Sequence, residues 1–350
     1  MGIEIDSHKL MYHPERVAEW KKNKDCYPIY VEIGPTNRCN HRCIFCCYDF
    51  FVNKTGINID REVMLRTLKE MAEKGVKSIM FAGDGEPLLH KNIIEFVEKA
   101  KEFGLDVSIT TNGSLLDDEK AKKILPHLSW IRFSVDAGTS ETYAKVHGVS
   151  AENFNKLIDN IKNAVEIKKK NNLNVIIGVQ FLLIPENIPD VLKIAKIAKQ
   201  IGVDNLQIKP YSQHPDSINK FVVNYKDYAY LAPELEKFNS TNFKIFFRKQ
   251  TIKRIEEGNI YSKCHGLSFF TLIDAKGDML PCSLYYGNQD LIYGNLYKNS
   301  FQEIWEGEKR KKIIEKISSN VSNCRHGCRL DVINRYLHRL KNPQEHDNFI

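Results

Sequence analysis

A chain of 350 residues with 42% hydrophobic and 27% charged side chains has an ordinary globular composition, is long enough for one large domain and a small one, and is not expected to be disordered. Charged residues interrupt the N-terminal segment every few positions, which argues against a signal peptide or a membrane span, so we expect a cytoplasmic protein without membrane contact. The net charge of +7 lies in lysine-rich, helix-like stretches without interleaved aromatic residues, which argues against nucleic-acid binding but suits docking of an acidic electron carrier such as flavodoxin or ferredoxin.

Short apolar runs alternate with longer amphipathic segments over residues 30–210, and this alternation predicts six strand–helix units. The predicted strands are 30–33, 78–82, 106–110, 130–135, 175–183 and 205–209. The predicted helices are 60–74, 93–103, 117–125, 151–170 and 188–201. Parallel strands joined by helices favour an α/β barrel or a doubly wound sheet, with the functional site at the carboxyl ends of the strands.

The rhythm of alternating strands and helices stops after residue 211. A further strand is predicted at 243–247, and short strands, turns and cysteine pairs follow from Cys264 onward. We therefore place a domain boundary near residue 240.

Nine cysteines fall into groups, which in a reducing compartment indicates metal thiolates rather than disulfides. Cys39, Cys43 and Cys46 directly follow the first predicted strand. A structural zinc site or a closed cluster needs four protein ligands, so three cysteines leave one metal position open for a substrate or cofactor. A zinc site with His41 or Cys47 as the fourth ligand is the alternative.

The C-x3-C-x2-C spacing, with Phe45 before the third cysteine, resembles the signature of the radical S-adenosylmethionine (radical SAM) superfamily. The resemblance implies a four-iron, four-sulfur cluster on Cys39, Cys43 and Cys46, whose open iron binds the amino and carboxylate groups of SAM. One electron then cleaves SAM to methionine and a 5′-deoxyadenosyl radical. The fold it implies is a partial (β/α)6 TIM-like barrel.

Segments after the later strands are similar to SAM-binding segments of that family. Gly83-Asp84-Gly85-Glu86-Pro87 resembles its glycine-rich GEP motif, in which glycines let the backbone approach the SAM ammonium and the glutamate orders the turn. Polar residues on the third, fourth and fifth strands match positions near the ribose, the methionine carboxylate and the adenine. The resemblance therefore implies the following cofactor-binding residues: Phe45, Gly83, Gly85, Glu86, Asn112, Ser134, Asp136 and Gln180.

The later cysteines resemble the auxiliary-cluster domains called SPASM and twitch. Cys264, Gly277 and Cys282 match the C-x(9-15)-G-x4-C pattern of these domains. Four cysteines lie beyond residue 240, namely Cys264, Cys282, Cys324 and Cys328, and four thiolates suit one closed cluster. We therefore expect a small α+β domain of the twitch type with a second 4Fe-4S cluster, the alternative being a four-cysteine zinc site. The implied division is an N-terminal extension at 1–27, a radical SAM core barrel at 28–240, and the auxiliary domain with a C-terminal tail at 241–350.

The polar run after the sixth strand contains the candidate catalytic residues Lys209, Tyr211 and His214. The leading hypothesis is hydrogen abstraction from a small polar metabolite, such as a sugar, aminocyclitol or nucleotide derivative, leading to oxidation or epimerisation. A peptide- or protein-modifying enzyme ranks second, because the residues before Tyr30 are too few for the recognition domain that such relatives often carry. An iron–sulfur or zinc scaffold without turnover ranks third. An epimerase needs a hydrogen donor, and Cys26, one of two leftover thiols, is expected to be a buried apolar residue instead.

Overall fold

The computed structural model describes residues 8–325 and 327–349. Its strands form one sheet in the order β10-β9-β8-β1-β2-β3-β4-β5-β6-β7. The strands are β1 Tyr30–Ile33, β2 Ser78–Phe81, β3 Asp106–Thr111, β4 Trp130–Ser134, β5 Ile176–Leu183, β6 Asn205–Pro210, β7 Lys244–Phe247, β8 Phe270–Ile273, β9 Asp278–Leu280 and β10 Gly294–Asn295. From β8 to β7 every neighbouring pair is parallel, whereas β9 and β10 add antiparallel strands at one edge.

Helices lie between the successive parallel strands, while the first helix precedes β1 and the last ones follow β10. They are α1 Pro14–Asn23, α2 Arg61–Glu73, α3 Ile93–Glu102, α4 Asp118–Ile124, α5 Ser140–His147, α6 Glu152–Lys170, α7 Val191–Ile201, α8 Leu231–Glu236, α9 Lys249–Glu257, α10 Phe301–Glu306, α11 Glu308–Ser318 and α12 Asp331–Lys341. None of the helices in the described ranges is long and apolar enough to cross a membrane. The predicted partial barrel, followed by a small α+β domain, is confirmed.

The two faces of the parallel sheet differ in chemistry. In β1, Val31 and Ile33 are fully buried in the hydrophobic core, while Tyr30 and Glu32 alternate with them on the inner face of the sheet. The inner face of β4 likewise carries Arg132. Since the interior of a closed TIM barrel is normally filled with bulky apolar side chains, this polar inner face indicates a space for ligands.

The sheet continues past the predicted domain boundary near residue 240. Strand β7 follows that boundary and pairs with β6, and β8 pairs with β1 on the other side of the barrel strands. The auxiliary segment therefore shares one sheet with the core, and the boundary itself stays a prediction.

The N-terminal extension packs against the auxiliary domain. Trp20 of α1 lies 5.8 Å from Phe269 between ring centroids, and Cys26 is 5% exposed, as expected of a buried apolar residue. The buried Arg310 forms a bidentate pair with Asp25, at 2.6 and 3.0 Å. The extension thereby closes a small hydrophobic cluster away from the carboxyl ends of the barrel strands.

Candidate active site

The first cysteine group lies in the loop that follows β1, and three contacts fix this loop. The Cys39 N–H donates to Asn53 Oδ1 at 2.8 Å, and the Arg42 N–H donates to the carbonyl of His147 at 2.9 Å. The Cys46 N–H donates to the carbonyl of Cys43 at 3.1 Å. The loop is therefore ordered by the protein itself.

The three thiols of this loop are close enough to influence one another. Burial raises the pKa of the Cys43 thiol well above its usual range, and the neighbouring Cys46 and Cys39 raise it further. Burial and the nearby Glu86 raise the pKa of Cys39 to about 11, against the backbone N–H groups that point at its sulfur. Such N–H groups stabilise a thiolate once a metal replaces the proton. Three neighbouring thiols, with N–H groups directed at one of them, fit a cluster with three protein ligands.

Helix α5, which the sequence pattern did not predict, brings a histidine to the cysteine loop. His147 Nδ1 lies 3.2 Å from Cys43 Sγ, and its Nε2 donates to the carbonyl of Val135 at 2.8 Å. Thr139 caps the helix, and Gly148, with φ +62°, ends it. A Cβ on Gly148 would lie 2.5 Å from the carbonyl oxygen of Arg42, so glycine is needed for α5 to approach the loop this closely. The Thr139 and Gly148 caps were the sequence signal that could have revealed this helix.

The predicted GEP turn packs directly on the cysteine loop. A Cβ on Gly85 would stand 2.2 Å from the carbonyl oxygen of Thr36 and 2.5 Å from that of Arg38. Gly83 has φ +98°, a left-handed conformation that favours glycine. Gly85 is therefore required because this turn contacts the backbone of the cysteine loop. The sequence had suggested a different reason for the glycine, namely close approach of SAM.

Both carboxylate oxygens of Glu86 are engaged by the protein. Oε1 accepts hydrogen bonds from the Leu88 N–H at 3.0 Å and the Thr111 hydroxyl at 2.6 Å, and Oε2 accepts the Asn112 N–H at 2.8 Å. The Asn112 side chain donates in turn to Asn40 Oδ1 in the cysteine loop, at 2.7 Å. Glu86 and Asn112 therefore tie the ends of β2 and β3 to that loop.

Asp136 has an unusual backbone and an unpaired oxygen. Its φ is +51°, and its Oδ1 accepts the N–H of Leu182 at 2.5 Å. Its buried Oδ2 has no hydrogen-bond partner among the described residues. Burial raises the pKa of Asp136 to about 7, against the Leu182 N–H and the cation of Lys209. An orphaned acceptor held in a strained conformation fits a ligand hydroxyl such as those of the SAM ribose.

The other predicted cofactor-binding residues lie around the same end of the sheet. Ser134 of β4 is paired in register with Gln180 of β5, which is 7% exposed. Phe45 is also 7% exposed and meets the His147 ring edge-on, 5.1 Å away between centroids. His147 in turn has its Nε2 3.8 Å from Asp136 Oδ2, so Phe45 and Asp136 lie on either side of one histidine ring.

Two of the three candidate catalytic residues, Lys209 and Tyr211, have different surroundings. Lys209 lies on the inner face of β6, and burial followed by neighbouring arginines lowers its pKa to about 7. Tyr211 is 7% exposed, its ring packs on Phe221, and burial raises its pKa to about 12.

His214 corrects the prediction from sequence. The ring is fully buried, its Nδ1 accepts the Asp216 N–H at 3.0 Å, and its Nε2 donates to the carbonyl of Ser283 at 3.1 Å. With both nitrogens bonded to the protein, His214 holds the loop after β6 against the auxiliary domain instead of facing a substrate. The sequence shows a polar run but not the Ser283 carbonyl.

Arg325, which sequence reasoning missed, reinforces this loop from the auxiliary domain. Its guanidinium donates to the Ser212 hydroxyl at 2.9 Å, to the Ser212 carbonyl at 2.7 Å and to the Ser283 hydroxyl at 3.2 Å. These three hydrogen bonds from one planar guanidinium group hold the loop after β6 against the auxiliary domain.

The second cysteine group gathers four thiols from separate segments. Burial and the neighbouring Cys328 raise the pKa of Cys264 to about 12, and the same two causes raise the pKa of Cys324 to about 11. Burial, followed by Cys328, also raises the pKa of Cys282 well above its usual range. The four predicted auxiliary ligands are therefore close enough to affect the pKa of one another's thiols.

Donors from the protein point at two of these sulfurs. The Asn334 side chain donates to Cys264 Sγ at 3.2 Å, and the Leu330 N–H donates to Cys328 Sγ at 3.4 Å. Asn334 is held in place because its Oδ1 accepts the N–H of Gly266 at 2.8 Å. Such donors stabilise bound thiolates and tune the potential of a cluster.

Two family models match the chain. The radical SAM superfamily model matches residues 33–198, and the model for an iron-sulfur cluster-binding domain, SPASM, matches residues 264–329. The chain belongs to the radical SAM superfamily. A radical SAM enzyme with this second domain uses a 4Fe-4S cluster, an auxiliary iron–sulfur cluster and SAM, which favours iron–sulfur over the zinc alternative at the later cysteines.

Two known proteins and a solved structure resemble the chain over much of its length. A probable GTP 3′,8-cyclase of Saccharolobus islandicus is 31% identical over 227 residues, which is 64% of this chain and 68% of that protein. The tungsten-containing aldehyde ferredoxin oxidoreductase cofactor-modifying protein of Pyrococcus furiosus is 26% identical over 310 residues, 80% of this chain and 81% of that protein. The crystal structure of Streptococcus suis SuiB bound to S-adenosylmethionine superposes with a TM-score of 0.68 over 93% of this chain and 78% of SuiB, at 18% identity, which shows a shared fold.

Proposed function

We propose that this radical SAM enzyme abstracts a hydrogen atom from a small polar metabolite held against the inner face of the barrel sheet. The metabolite is a sugar, aminocyclitol or nucleotide derivative, and the outcome is oxidation or epimerisation. The polar and charged inner face, formed by residues such as Glu32, Arg132 and Lys209, carries this proposal, because such a surface provides directed hydrogen bonds and charges for a small polar ligand. Relatives from Saccharolobus that are named for a nucleotide, GTP, are in keeping with such a substrate.

Cys39, Cys43 and Cys46 are the proposed ligands of the first cluster, and this cluster with SAM supplies the radical that abstracts the hydrogen atom. Asp136 is the proposed acceptor of a hydrogen bond from a ribose hydroxyl, through the Oδ2 atom that has no hydrogen-bond partner among the described residues. The buried Phe45 is proposed to line the same site and to limit the access of water, which would otherwise compete for hydrogen bonds to Asp136.

The remaining predicted SAM-binding residues act by position. Glu86 and Asn112 fix the ends of β2 and β3 on the cysteine loop, and Gly85 allows the turn to lie flat against it. The proposed SAM site is therefore assembled by contacts that exist before SAM binds, which lowers the entropy lost on binding.

The auxiliary cysteines are the proposed ligands of a closed cluster. Four thiolates leave no iron open, so this cluster is suited to carrying an electron rather than binding the substrate. An electron taken from the product radical would make the overall reaction an oxidation.

The proposal is tested with the enzyme reconstituted anaerobically, which we expect to hold about eight iron atoms, four in each cluster. The reduced enzyme is incubated with SAM and a metabolite extract from cells grown on deuterated medium, divided at 3 kDa by ultrafiltration. Transfer of deuterium into 5′-deoxyadenosine from the small fraction supports the proposal. Transfer from the large fraction alone would instead identify a peptide or protein substrate, and no transfer from either fraction would contradict hydrogen abstraction.

Two variants control this assay. Cys43→Ala removes a proposed ligand of the first cluster, and we expect no cleavage of SAM. Cys26→Ala alters a thiol buried in the N-terminal cluster, and we expect full turnover. Loss of turnover in the Cys26 variant, with normal iron content, would reopen its role as a hydrogen donor.

A further inference from the structure

Basic side chains surround the proposed auxiliary ligand Cys264. Lys263 and His265 flank this cysteine in the chain. The His265 ring lies 5.3 Å from the ring of Trp20 in α1 between centroids, and Lys341 Nζ, at the end of α12, lies 5.2 Å from the centroid of the same Trp20 ring. Helices α1 and α12 therefore meet the segment that carries Cys264 at one place in the molecule.

A third lysine belongs to the same place. Lys24 directly follows the last residue of α1, one turn after Trp20. Burial, and then the cations of Lys263 and Lys24, lower the pKa of Lys341, which agrees with the ring contacts in bringing the three ammonium groups near one another. All three lysines are exposed. We call Lys24, Lys263 and Lys341 the Cys264 patch.

Carboxylates of the protein do not neutralise the Cys264 patch. None of its three lysines forms a salt bridge with a residue in the ranges 8–325 and 327–349. Asp25, the neighbour of Lys24 in the chain, is already paired with Arg310, and Asp347 in the tail is paired with Arg339. Exposed like charges that the protein leaves together attract a partner of the opposite charge and speed the encounter with it.

The patch lies directly over a proposed ligand of the auxiliary cluster. Lys263 is the residue next to Cys264 in the chain. Asn334 of α12 donates to Cys264 Sγ at 3.2 Å, and Lys341 follows two turns later in the same helix, about 10 Å further along its axis. The rate of electron tunnelling falls steeply with distance, so a protein docked on the patch has a short path to the auxiliary cluster through Cys264.

We propose that the Cys264 patch docks an acidic one-electron carrier protein, of the ferredoxin or flavodoxin type, which removes the electron from the auxiliary cluster. This inference rests on the proposed function, which assigns an electron carrier to these cysteines. In each turnover one electron enters to cleave SAM, and the product radical loses one electron and one proton as the substrate is oxidised. The electron that leaves at Cys264 reduces the oxidised carrier, so the enzyme returns to its starting oxidation state.

An acidic protein fits this surface better than a nucleic acid does. Proteins that bind single strands combine cations with aromatic rings on which bases stack. Trp20, at the centre of the patch, is only 2% exposed and packs in the small hydrophobic cluster of the N-terminal extension, so its ring is not free to stack on a base. Binding of a short duplex DNA is the competing outcome in the test.

Docking is tested with the reconstituted enzyme and two purified carriers in their oxidised form, an acidic ferredoxin and a flavodoxin, by calorimetry at low salt. We expect at least one carrier to bind. The patch variant Lys24→Gln, Lys263→Gln and Lys341→Gln should bind it about tenfold more weakly, because three modest charge pairs are lost together. Salt should reduce the difference, since it screens exposed charges.

A matched variant controls for the loss of net charge. It carries Lys156→Gln, Lys196→Gln and Lys199→Gln at three exposed positions of α6 and α7, and we expect it to bind the carrier within about twofold of the unaltered enzyme. Binding of neither carrier, or equal weakening in the two triple variants, would overturn the proposal. Tighter binding of duplex DNA than of either carrier, lost in the patch variant, would identify a nucleic-acid surface instead.

Electron transfer is measured separately from docking. In Cys43→Ala, which lacks a proposed ligand of the first cluster, the auxiliary cluster is reduced with dithionite, freed of excess reductant and mixed with oxidised carrier in a stopped-flow spectrometer. Adding the three patch substitutions should slow re-oxidation by the carrier about tenfold when the carrier is below saturation. Re-oxidation by a small uncharged quinone should be unchanged, because it needs no docking. Equal slowing with the quinone, or no electron transfer to either carrier, would overturn the proposal.

Neither measurement needs the substrate, so the docking surface and the proposed function can fail independently. Docking and electron transfer without deuterium transfer from any metabolite contradict the proposed function and leave the surface standing. Deuterium transfer from the small fraction, combined with no carrier binding, overturns the docking surface alone.

Discussion

Replacing Glu86 by glutamine tests whether this residue positions the active site rather than contacting SAM. The carboxylate is 3% exposed and accepts three hydrogen bonds, from the Leu88 N–H, the Thr111 hydroxyl and the Asn112 N–H. Glutamine has almost the same shape but only one acceptor oxygen. If that oxygen keeps the two bonds to Oε1, the amide nitrogen takes the place of Oε2 and faces the Asn112 N–H, donor against donor.

The expected cost follows from this geometry. A hydrogen bond to a charged group contributes about 1.5–3 kcal/mol, and the Asn112 N–H would be left buried without an acceptor. We therefore expect the free energy of unfolding to fall by about 2–3 kcal/mol, toward the upper part of that range. Because Asn112 also bonds to Asn40 in the cysteine loop, we expect the affinity for SAM to fall as well.

Urea unfolding of the reduced, cluster-free chain, followed by circular dichroism, measures the first effect, and calorimetry with the reconstituted enzyme measures the second. Glu119→Gln is the matched control, because this residue of α4 is 79% exposed and pairs with Lys123, a contact worth about 0.3–0.5 kcal/mol. If Glu86→Gln is no less stable than Glu119→Gln, the three bonds do not support the turn and our reasoning fails. Normal stability combined with lost SAM affinity would show instead that Glu86 contacts SAM.

Other parts of the structure give further predictions. Cys43→Ala and Cys264→Ala should each lose about four iron atoms in an iron and sulfide analysis, yet only Cys43→Ala should abolish SAM cleavage, and loss of cleavage in both would contradict separate clusters. Asn334→Ala removes the donor to Cys264 Sγ and should make the reduction potential of the auxiliary cluster more negative in a titration followed by electron paramagnetic resonance, so an unchanged potential would refute the role of this bond. Asp25→Ala leaves the fully buried Arg310 without its carboxylate and should lower the free energy of unfolding by about 2 kcal/mol or more in urea, and a smaller loss would show that the Trp305 carbonyl and ring suffice.

The barrel could be predicted from the sequence because its strands carry a strong and repeated pattern. The six predicted strands coincide with β1 to β6 within one residue at each end. Helix α5 was missed because it has only eight residues, too few to show an apolar periodicity. Its absence from the prediction also hid His147, since a single histidine carries no local signal of a contact with Cys43.

The cysteines and the glycine-rich turn could be predicted because their spacing along the chain is informative by itself. The contacts of Arg325 and Arg329 could not, because they join the auxiliary domain to segments that are far away in the sequence. The position of Arg132 on the inner face could be predicted, since this residue stands between two buried apolar residues. The position of Arg329 depends on how the auxiliary domain returns to β1, which no local pattern encodes.

The auxiliary domain has a second role besides holding a cluster. Two proposed ligands, Cys324 and Cys328, lie in the same short segment as Arg325 and Arg329. Arg325 fixes the loop after β6, and Arg329 reaches Glu32 on the inner face of β1. We therefore expect assembly of the auxiliary cluster also to order the proposed substrate space, so that a variant without this cluster loses both the proposed electron carrier and part of the proposed binding site. Loss of turnover in such a variant therefore does not by itself demonstrate electron transfer.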